Sequence, residues 1–277
     1  VVLVRFSIGR WYGTGTDEQV VDELREAKQA TGDIGTFTKR LMKRERLLEI
    51  NRITNDSRRF HKVLTLPWGD NKDRLLCVDA YKEYKKRMSA YEREFFGAVD
   101  SFIEKYDAAV LDERKRLGDL WRKDDYPTAE EMRARFRFGL TVDVLADTTD
   151  LRLQMSAEQA KEIKEGIEKR VHAEIKQAVG DIYTRLADEV TEIKGQLDDP
   201  DARLQGKMFN TIQEIVGLLP KLNIMRDPAL TALGRDILKE LTAVPASELK
   251  QPEERKKASA KAAGVLDMIN RMKKGTK

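Results

Sequence analysis

Apolar and polar positions along the chain fall into two periods, and each predicts a different element. Residues 2–8 alternate apolar side chains with others, the period of a half-buried strand. Phe136, Phe138, Leu140, Val142 and Val144 alternate in the same way with Arg135, Arg137, Gly139, Thr141 and Asp143. These two strands are expected to pair in a small sheet. Tyr81, Tyr84, Met88, Tyr91, Phe95, Val99, Phe102, Tyr106 and Val110 instead recur about every 3.6 positions, the period of one face of a straight helix. That helix is expected over 78–117, about 60 Å long at roughly 1.5 Å per residue, with Gly118 as its stop. Ile163, Ile167, Val171, Ile175, Val179, Ile182, Leu186, Val190, Ile193 and Leu197 mark a second long helix, with a mean spacing of about 3.8. A left-handed coiled coil requires about 3.5, so this is not a heptad zipper.

Punctuation fills in the rest. Thr16 with Gln19, Thr128 with Glu131, and Ser156 with Gln159 have the spacing of capping boxes. The first is expected to open a helix that ends near Gly32. A further helix is expected over 36–56 and a short strand over 63–66, which runs into the turn Pro67-Trp68-Gly69-Asp70-Asn71. Asp199-Pro200 and Asp227-Pro228 each look like an N-cap and first helical position. The chain after Val244 reads as a Lys- and Ala-rich helix with a frayed basic tail. The expected fold class is mainly α, with a long antiparallel helical arm formed by the two long helices and a small β-sheet. The expected division is a mixed helical domain with the small sheet over 1–150, a second long helix and its packing over 151–250, and a basic helical tail over 251–277.

Composition adds that the chain is folded and rich in exposed helix. Hydrophobic residues make up 40% of 277 residues, enough for a core, and charged residues 36%. The net charge of +4 is too small to announce a nucleic-acid binder, so its distribution matters more. Residues 36–62 hold nine Lys/Arg against three acids, and residues 251–277 hold eight against three, on an otherwise acidic chain. The single cysteine, Cys77, fits a reducing cytoplasm. No apolar run reaches the roughly 20 residues that span a membrane. No signal-peptide pattern is visible. The start at Val1 without methionine leads to the expectation that a short leader is missing.

Little in the sequence resembles catalytic machinery. The histidines are His61 and His172, with no paired-His, paired-Cys or EF-hand spacing, so no metal or other cofactor is expected. Cys77 reads as a small buried thiol. Gly13-Thr14-Gly15-Thr16 sits where phosphate loops occur, but it lacks the lysine, and Asp17 and Glu18 would repel a phosphate. The acids Asp124-Asp125, Asp147 with Asp150, and Asp198-Asp199 with Asp201 sit at expected helix ends, where they cap N–H groups. A hydrolase using these carboxylates is the least favoured reading.

The basic segment carries the main functional expectation. On a helix, Lys39, Lys43 and Arg46 share one face, flanked by Arg40 and Arg44 and followed by Arg58 and Arg59. Such a stripe neutralises phosphates of DNA or RNA. Trp68, with Lys72 and Arg74 nearby, offers a base-stacking platform. The alternative is a solvated face with Trp68 folded onto the core. The Tyr-rich face of the 78–117 helix reads as ordinary core, with a self-association or protein-docking surface as the alternative.

The order of features resembles a known family. A strand ending near Trp11 precedes Leu66-Pro67-Trp68, then the long helix with "SFIEKYDAAV", then "LGDLWRKDDYPTAEEM", the strand "FRFGLTVDVL" and a late "LNIMRDPALTAL". This is similar to a family of helical proteins of bacteriophages and mobile elements, over most of the chain but at scattered positions. The family's genes often lie near those of MoxR-type AAA+ ATPases and von Willebrand A-domain proteins. The resemblance implies a bacterial host cell and an ATPase-linked partner, and it carries over no functional residue. The combined expectation is a non-catalytic binding protein that engages nucleic acid through the basic segment and scaffolds other proteins through its long helices. A homo-oligomer is compatible with that expectation, and a membrane partner is not. The alternative is an adaptor in an AAA+ ATPase-linked assembly, without nucleic acid.

Overall fold

Most of the periodic stretches identified above are helical or extended as expected in the computed structural model. The structure describes residues 1–69, 72–144, 157–202, 204, 206–242 and 248–275. The Ser156–Gln159 capping box, the Asp147 and Asp150 pair, the turn positions Asp70 and Asn71, Val244 and the side chains of Val144 and Ile163 lie outside the described residues. In chain order the elements are β1 (Val2–Gly9), β2 (Thr14–Thr16), α1 (Glu18–Ala27), β3 (Thr38–Arg40), α2 (Leu48–Leu64), β4 (Leu66–Pro67), β5 (Asp73–Leu76), α3 (Val78–Glu104), α4 (Tyr106–Leu117), α5 (Ala129–Ala134), β6 (Arg137–Val144), α6 (Ala157–Asp198), α7 (Asn210–Leu222), α8 (Pro228–Leu241) and α9 (Pro252–Gly275). The protein is mainly α, with a minor β part: one sheet in the order β4-β5-β1-β6 and a separate β2-β3 pair. The expected neighbours β1 and β6 are adjacent in that sheet.

The chain forms two compact units. Unit 1 comprises Val1–Arg5, Lys62–Tyr84 and Thr141–Lys277. In it β1 and β5 pair antiparallel from Val2↔Leu76 to Arg5↔Asp73, and Leu66 of β4 pairs with Leu75. The expected strand over 63–66 is shorter and later, because α2 continues through Leu64. Helix α6 turns Ile182, Leu186, Val190 and Ile193 into the core with almost no exposure. Its long partner is α9, which contributes Ala262, Val265 and Ile269 to the same core. Arg255 and Ser259 near the start of α9 bond to residues 196–199 at the end of α6, so the two helices run antiparallel. The long antiparallel pair is therefore present with a different partner from the one expected: the 78–117 stretch beyond Tyr84 belongs to unit 2.

The two Asp-Pro signals differ in outcome. Asp227 caps α8, its carboxylate accepting from the Ala229 N–H at 2.8 Å, with Pro228 in the first position. Asp199 does not start a helix. Its N–H still donates to the Gly195 carbonyl at 3.1 Å, so it closes α6, and its carboxylate and carbonyl hold a turn through the N–H groups of Asp201 and Ala202.

Unit 2 comprises Phe6–His61 and Lys85–Leu140. Its core is aromatic. Phe95 meets Phe136 and Phe138 at centroid distances of 6.3 and 5.8 Å, and Phe102 meets Tyr106 at 5.7 Å. The tyrosine question resolves as core: Tyr106 is buried, and its hydroxyl donates to the Pro127 carbonyl at 3.0 Å. The expected single helix is divided at Lys105, whose N–H bonds the Phe102 carbonyl three residues back. Gly118 ends α4 at a φ of 55°. The capping box of α5 has both of its bonds: Glu131 N–H to Thr128 Oγ1, and Thr128 N–H to the Glu131 carboxylate. At α1 the cap is Asp17 and not Thr16, its carboxylate accepting from the Val20 N–H.

The helix expected over 36–56 is the main correction. Residues 38–40 are the strand β3, residues 44–47 a short 3-10 turn, and α2 begins only at Leu48. Lys39, Leu41 and Met42 point inward, a burial pattern that a solvated helical face cannot have.

Candidate functional site

Strands β2 and β3 pair antiparallel as Thr14↔Arg40, Gly15↔Lys39 and Thr16↔Thr38. The ladder continues with Asp17 N–H to the Phe37 carbonyl at 3.0 Å. Residues 17–37 are thus an excursion tied together at both ends. Gly13, at a φ of 67°, begins it, and its carbonyl accepts from the N–H groups of Leu41 and Met42. A Cβ there would strike Leu47 Cδ1 at 2.9 Å, so the glycine is required by both conformation and space. The Gly13–Thr16 segment is a turn and strand, in keeping with the plain reading over the phosphate loop.

The base of this arm is ionic. Lys39 is 2% exposed. Its Nζ lies 2.6 Å from Asp17 Oδ2, 2.7 Å from Asp125 Oδ2 and 2.7 Å from the Leu120 carbonyl. Arg122 adds a second cation 3.1 Å from Asp17 Oδ1. A buried ammonium is tolerated only with this degree of pairing. The hydrogen bond from Lys39 holds the Asp17 carboxyl below its ordinary range, against the opposing effect of burial. Burial pulls the Lys39 ammonium down, but Asp125 and Asp17 outweigh it, and the net shift is upward. A depressed carboxyl stabilises the fold above its unfolded pKa and loses that contribution as pH falls through the folded value. A raised ammonium stabilises it below its unfolded pKa and loses that contribution as pH rises through the folded value. The stability gap between the wild type and Asp17→Asn is therefore expected to be level from about pH 5 to 9 and to close below about pH 4. Urea midpoints measured across that range check this, and a gap that persists unchanged at pH 3 would remove the assignment.

Above this base stands α1. Its sequence, EQVVDELREA, is amphipathic, yet none of its residues is buried. Leu24 is 45% exposed, and Val20 and Val21 are only half-buried. Local chemistry bounds it: the Asp17 cap at one end, and at the other Gln29 in the left-handed region at a φ of 52°, with Ala30 N–H bonded to the Arg25 carbonyl. A ten-residue helix that buries no residue is marginal in water, and the clamped base supplies what its own propensity lacks.

The chain matches no family model, no curated protein and no solved structure.

The ten residues expected to contact nucleic acid do not form one stripe. Lys39 is consumed by the ionic base. Arg40 lies in β3, and its carbonyl accepts from Arg116 at 2.5 Å. Lys43 and Arg44 are exposed, the Lys43 N–H donating to Glu113 at 2.9 Å. Arg46 pairs with Asp112 at 2.6 Å. Arg58 reaches the Ile8 carbonyl at 3.3 Å, and Arg59 is exposed but engaged within the chain. These seven belong to unit 2, and the other three to unit 1. There Trp68 packs half-buried against the core, Lys72 is exposed, and Arg74 donates to Thr65 Oγ1 at 2.6 Å and to the carbonyls of Thr65 and Lys62. Arg185 serves the same chain end, donating to the carbonyls of Val63 and Thr65. Both arginines thus satisfy carbonyls at the C-terminus of α2.

The remaining candidates are structural. Asp125 neutralises Lys39 instead of capping a helix, and Asp198 pairs with Lys194 at 2.5 Å. Cys77 is half-buried. Among the described residues no group of three His, Cys, Asp or Glu is placed to hold a metal ion, and no helix is long and apolar enough to cross a membrane. Unit 2 has a groove of about 580 Å³ floored by Ile50, Ile53 and Phe102. Several of its rim charges pair within the chain: Arg46 with Asp112, Arg52 with Glu49 and Asp56, and Glu94 with Arg87. Sequence reasoning missed Asp17 as the partner of Lys39, since the two are 22 residues apart and only the β2-β3 register joins them.

Proposed function

We propose that this protein is a non-catalytic adaptor that docks another protein. One observation carries the reading: α1 has a strongly amphipathic sequence and no buried residue, and it starts from a buried, ion-paired base. Amphipathic helices normally bury their apolar face in their own fold. An exposed one anchored at its start has the form of a helix offered to a groove on a partner. The resemblance to a family of phages and mobile elements supports a bacterial host cell as the setting and an AAA+ ATPase as a candidate partner. Nucleic acid is the second reading, supported by the exposure of Lys43, Arg44 and Lys72. It is weakened because Lys39 and Arg46 are paired to acids of their own chain.

The two readings separate in one experiment. The tagged chain is purified from the bacterial host with and without nuclease, and is also mixed with single- and double-stranded oligonucleotides at about 50 mM salt, where electrostatic binding is strong. The expected outcome is a stoichiometric protein partner that survives nuclease and no oligonucleotide shift. A chain that purifies alone, or a partner released by nuclease, would overturn the adaptor reading.

A further inference from the structure

The chemistry of α1 narrows the kind of partner it fits. Val20, Val21, Leu24 and Ala27 lie together on a stripe about 120° wide, wide enough to seat in an apolar groove. On a helical projection exposed Glu23 borders one edge of that stripe; Arg25 borders the other, with exposed Glu18 just beyond it. Asp22 and Glu26 cover the back, and the segment that follows adds Asp33, also exposed. The cation in the helix, Arg25, is already bonded to Asp22. Lys28 is the other cation of the arm, so its five exposed acids outnumber two cations and it carries a net negative charge.

We infer that α1 is the ligand of a protein groove with an apolar floor and a rim of lysine or arginine. This rests on the adaptor reading and specifies its partner. Charge complementarity selects the occupant. A nucleic acid or an anionic membrane would face like charge on the arm. Two copies of α1 laid face to face would each bring a net negative charge to the contact, which disfavours a second copy through this helix. A groove with a basic rim gains on both counts: its floor covers Leu24, and its cations meet Glu23 along the acidic edge of the stripe.

The test uses the full chain with Leu24 replaced by the photo-crosslinking residue p-benzoylphenylalanine, illuminated in the bacterial host, with crosslinked peptides mapped by mass spectrometry. Because no residue of α1 is buried, substitutions there leave the core intact, and the circular dichroism of each variant verifies it. The expected result is one protein, crosslinked within an apolar segment bordered by Lys or Arg. The triple variant Glu18→Gln, Glu23→Gln, Glu26→Gln is expected to lower the yield about tenfold at about 0.1 M salt, and Leu24→Glu to abolish co-purification. Crosslinks to a second copy of this chain, to nucleic acid, or to a segment without a basic border would overturn the inference, as would a yield indifferent to the triple variant. A partner that co-purifies but crosslinks elsewhere removes this inference alone. The absence of any partner removes the adaptor reading as well.

Discussion

Lys39→Met is expected to destabilise unit 2 by about 3–5 kcal/mol, the cost of leaving a buried charge without its partner. The side chains of Lys39 and Asp17 are each 1% exposed, so water cannot replace the lost ammonium. The substitution strands Asp17 and Asp125 together and releases the Leu120 carbonyl. Arg122 remains beside Asp17 at 3.1 Å and softens the loss without covering Asp125. The triple variant Lys39→Met, Asp17→Asn, Asp125→Asn removes the uncompensated charges along with the cation. It is expected to recover at least half of the deficit, since a buried ion pair is costly mainly when broken on one side. Urea unfolding of the three proteins decides the matter, with hydrogen exchange at residues 14–17 and 38–40 as a local readout. A single variant as stable as the wild type would show that the cluster does not fasten the arm. If it does, Lys39→Met should also weaken partner capture with the apolar stripe of α1 untouched.

This cluster also shows where the sequence stops being readable. The strands β1 and β6, the α5 capping box, the Asp227 cap of α8 and the Gly118 stop are all legible, because each is fixed by residues within a few positions of one another. Lys39, Lys43 and Arg46 have helical spacing by coincidence. What decides their conformation is the pairing of β3 with β2, more than twenty residues upstream, and no local pattern announces a three-residue strand. The partner of α6 was hidden for a different reason. Helix α9 buries a narrow row, Ser259, Ala262, Val265 and Ile269, within a sequence dominated by Lys and Ala. So few large apolar residues read as a soluble tail, yet small ones allow a close approach along a long helix. The α1 arm inverts the usual inference. Its amphipathic pattern was readable, but a pattern that means core in most helices is here left uncovered. The candidate site was therefore present in the sequence as a helix and absent from it as a site.

Arg255→Ala is expected to destabilise unit 1 by about 2–3 kcal/mol, the order of two charge-assisted hydrogen bonds lost together with the desolvation of their acceptors. The last carbonyls of any helix have no partner within it. At the end of α6, Arg255 Nε and Nη2 each donate at 2.8 Å, to the carbonyls of Leu197 and Gln196. The same guanidinium bonds the Asp199 carbonyl and reaches toward Pro200. A positive charge at this position also complements the negative end of a helix of 42 residues. Because Arg255 belongs to α9, one side chain both caps α6 and fixes where α9 begins beside it. Lysine can supply the charge but not the planar fork, so Arg255→Lys should recover less than half of the loss. Urea midpoints give the magnitude, and amide exchange at residues 195–202 gives the location. An alanine variant with wild-type stability and unchanged exchange there would mean that water satisfies these carbonyls equally well, and that the α6–α9 pair is held by its apolar row alone.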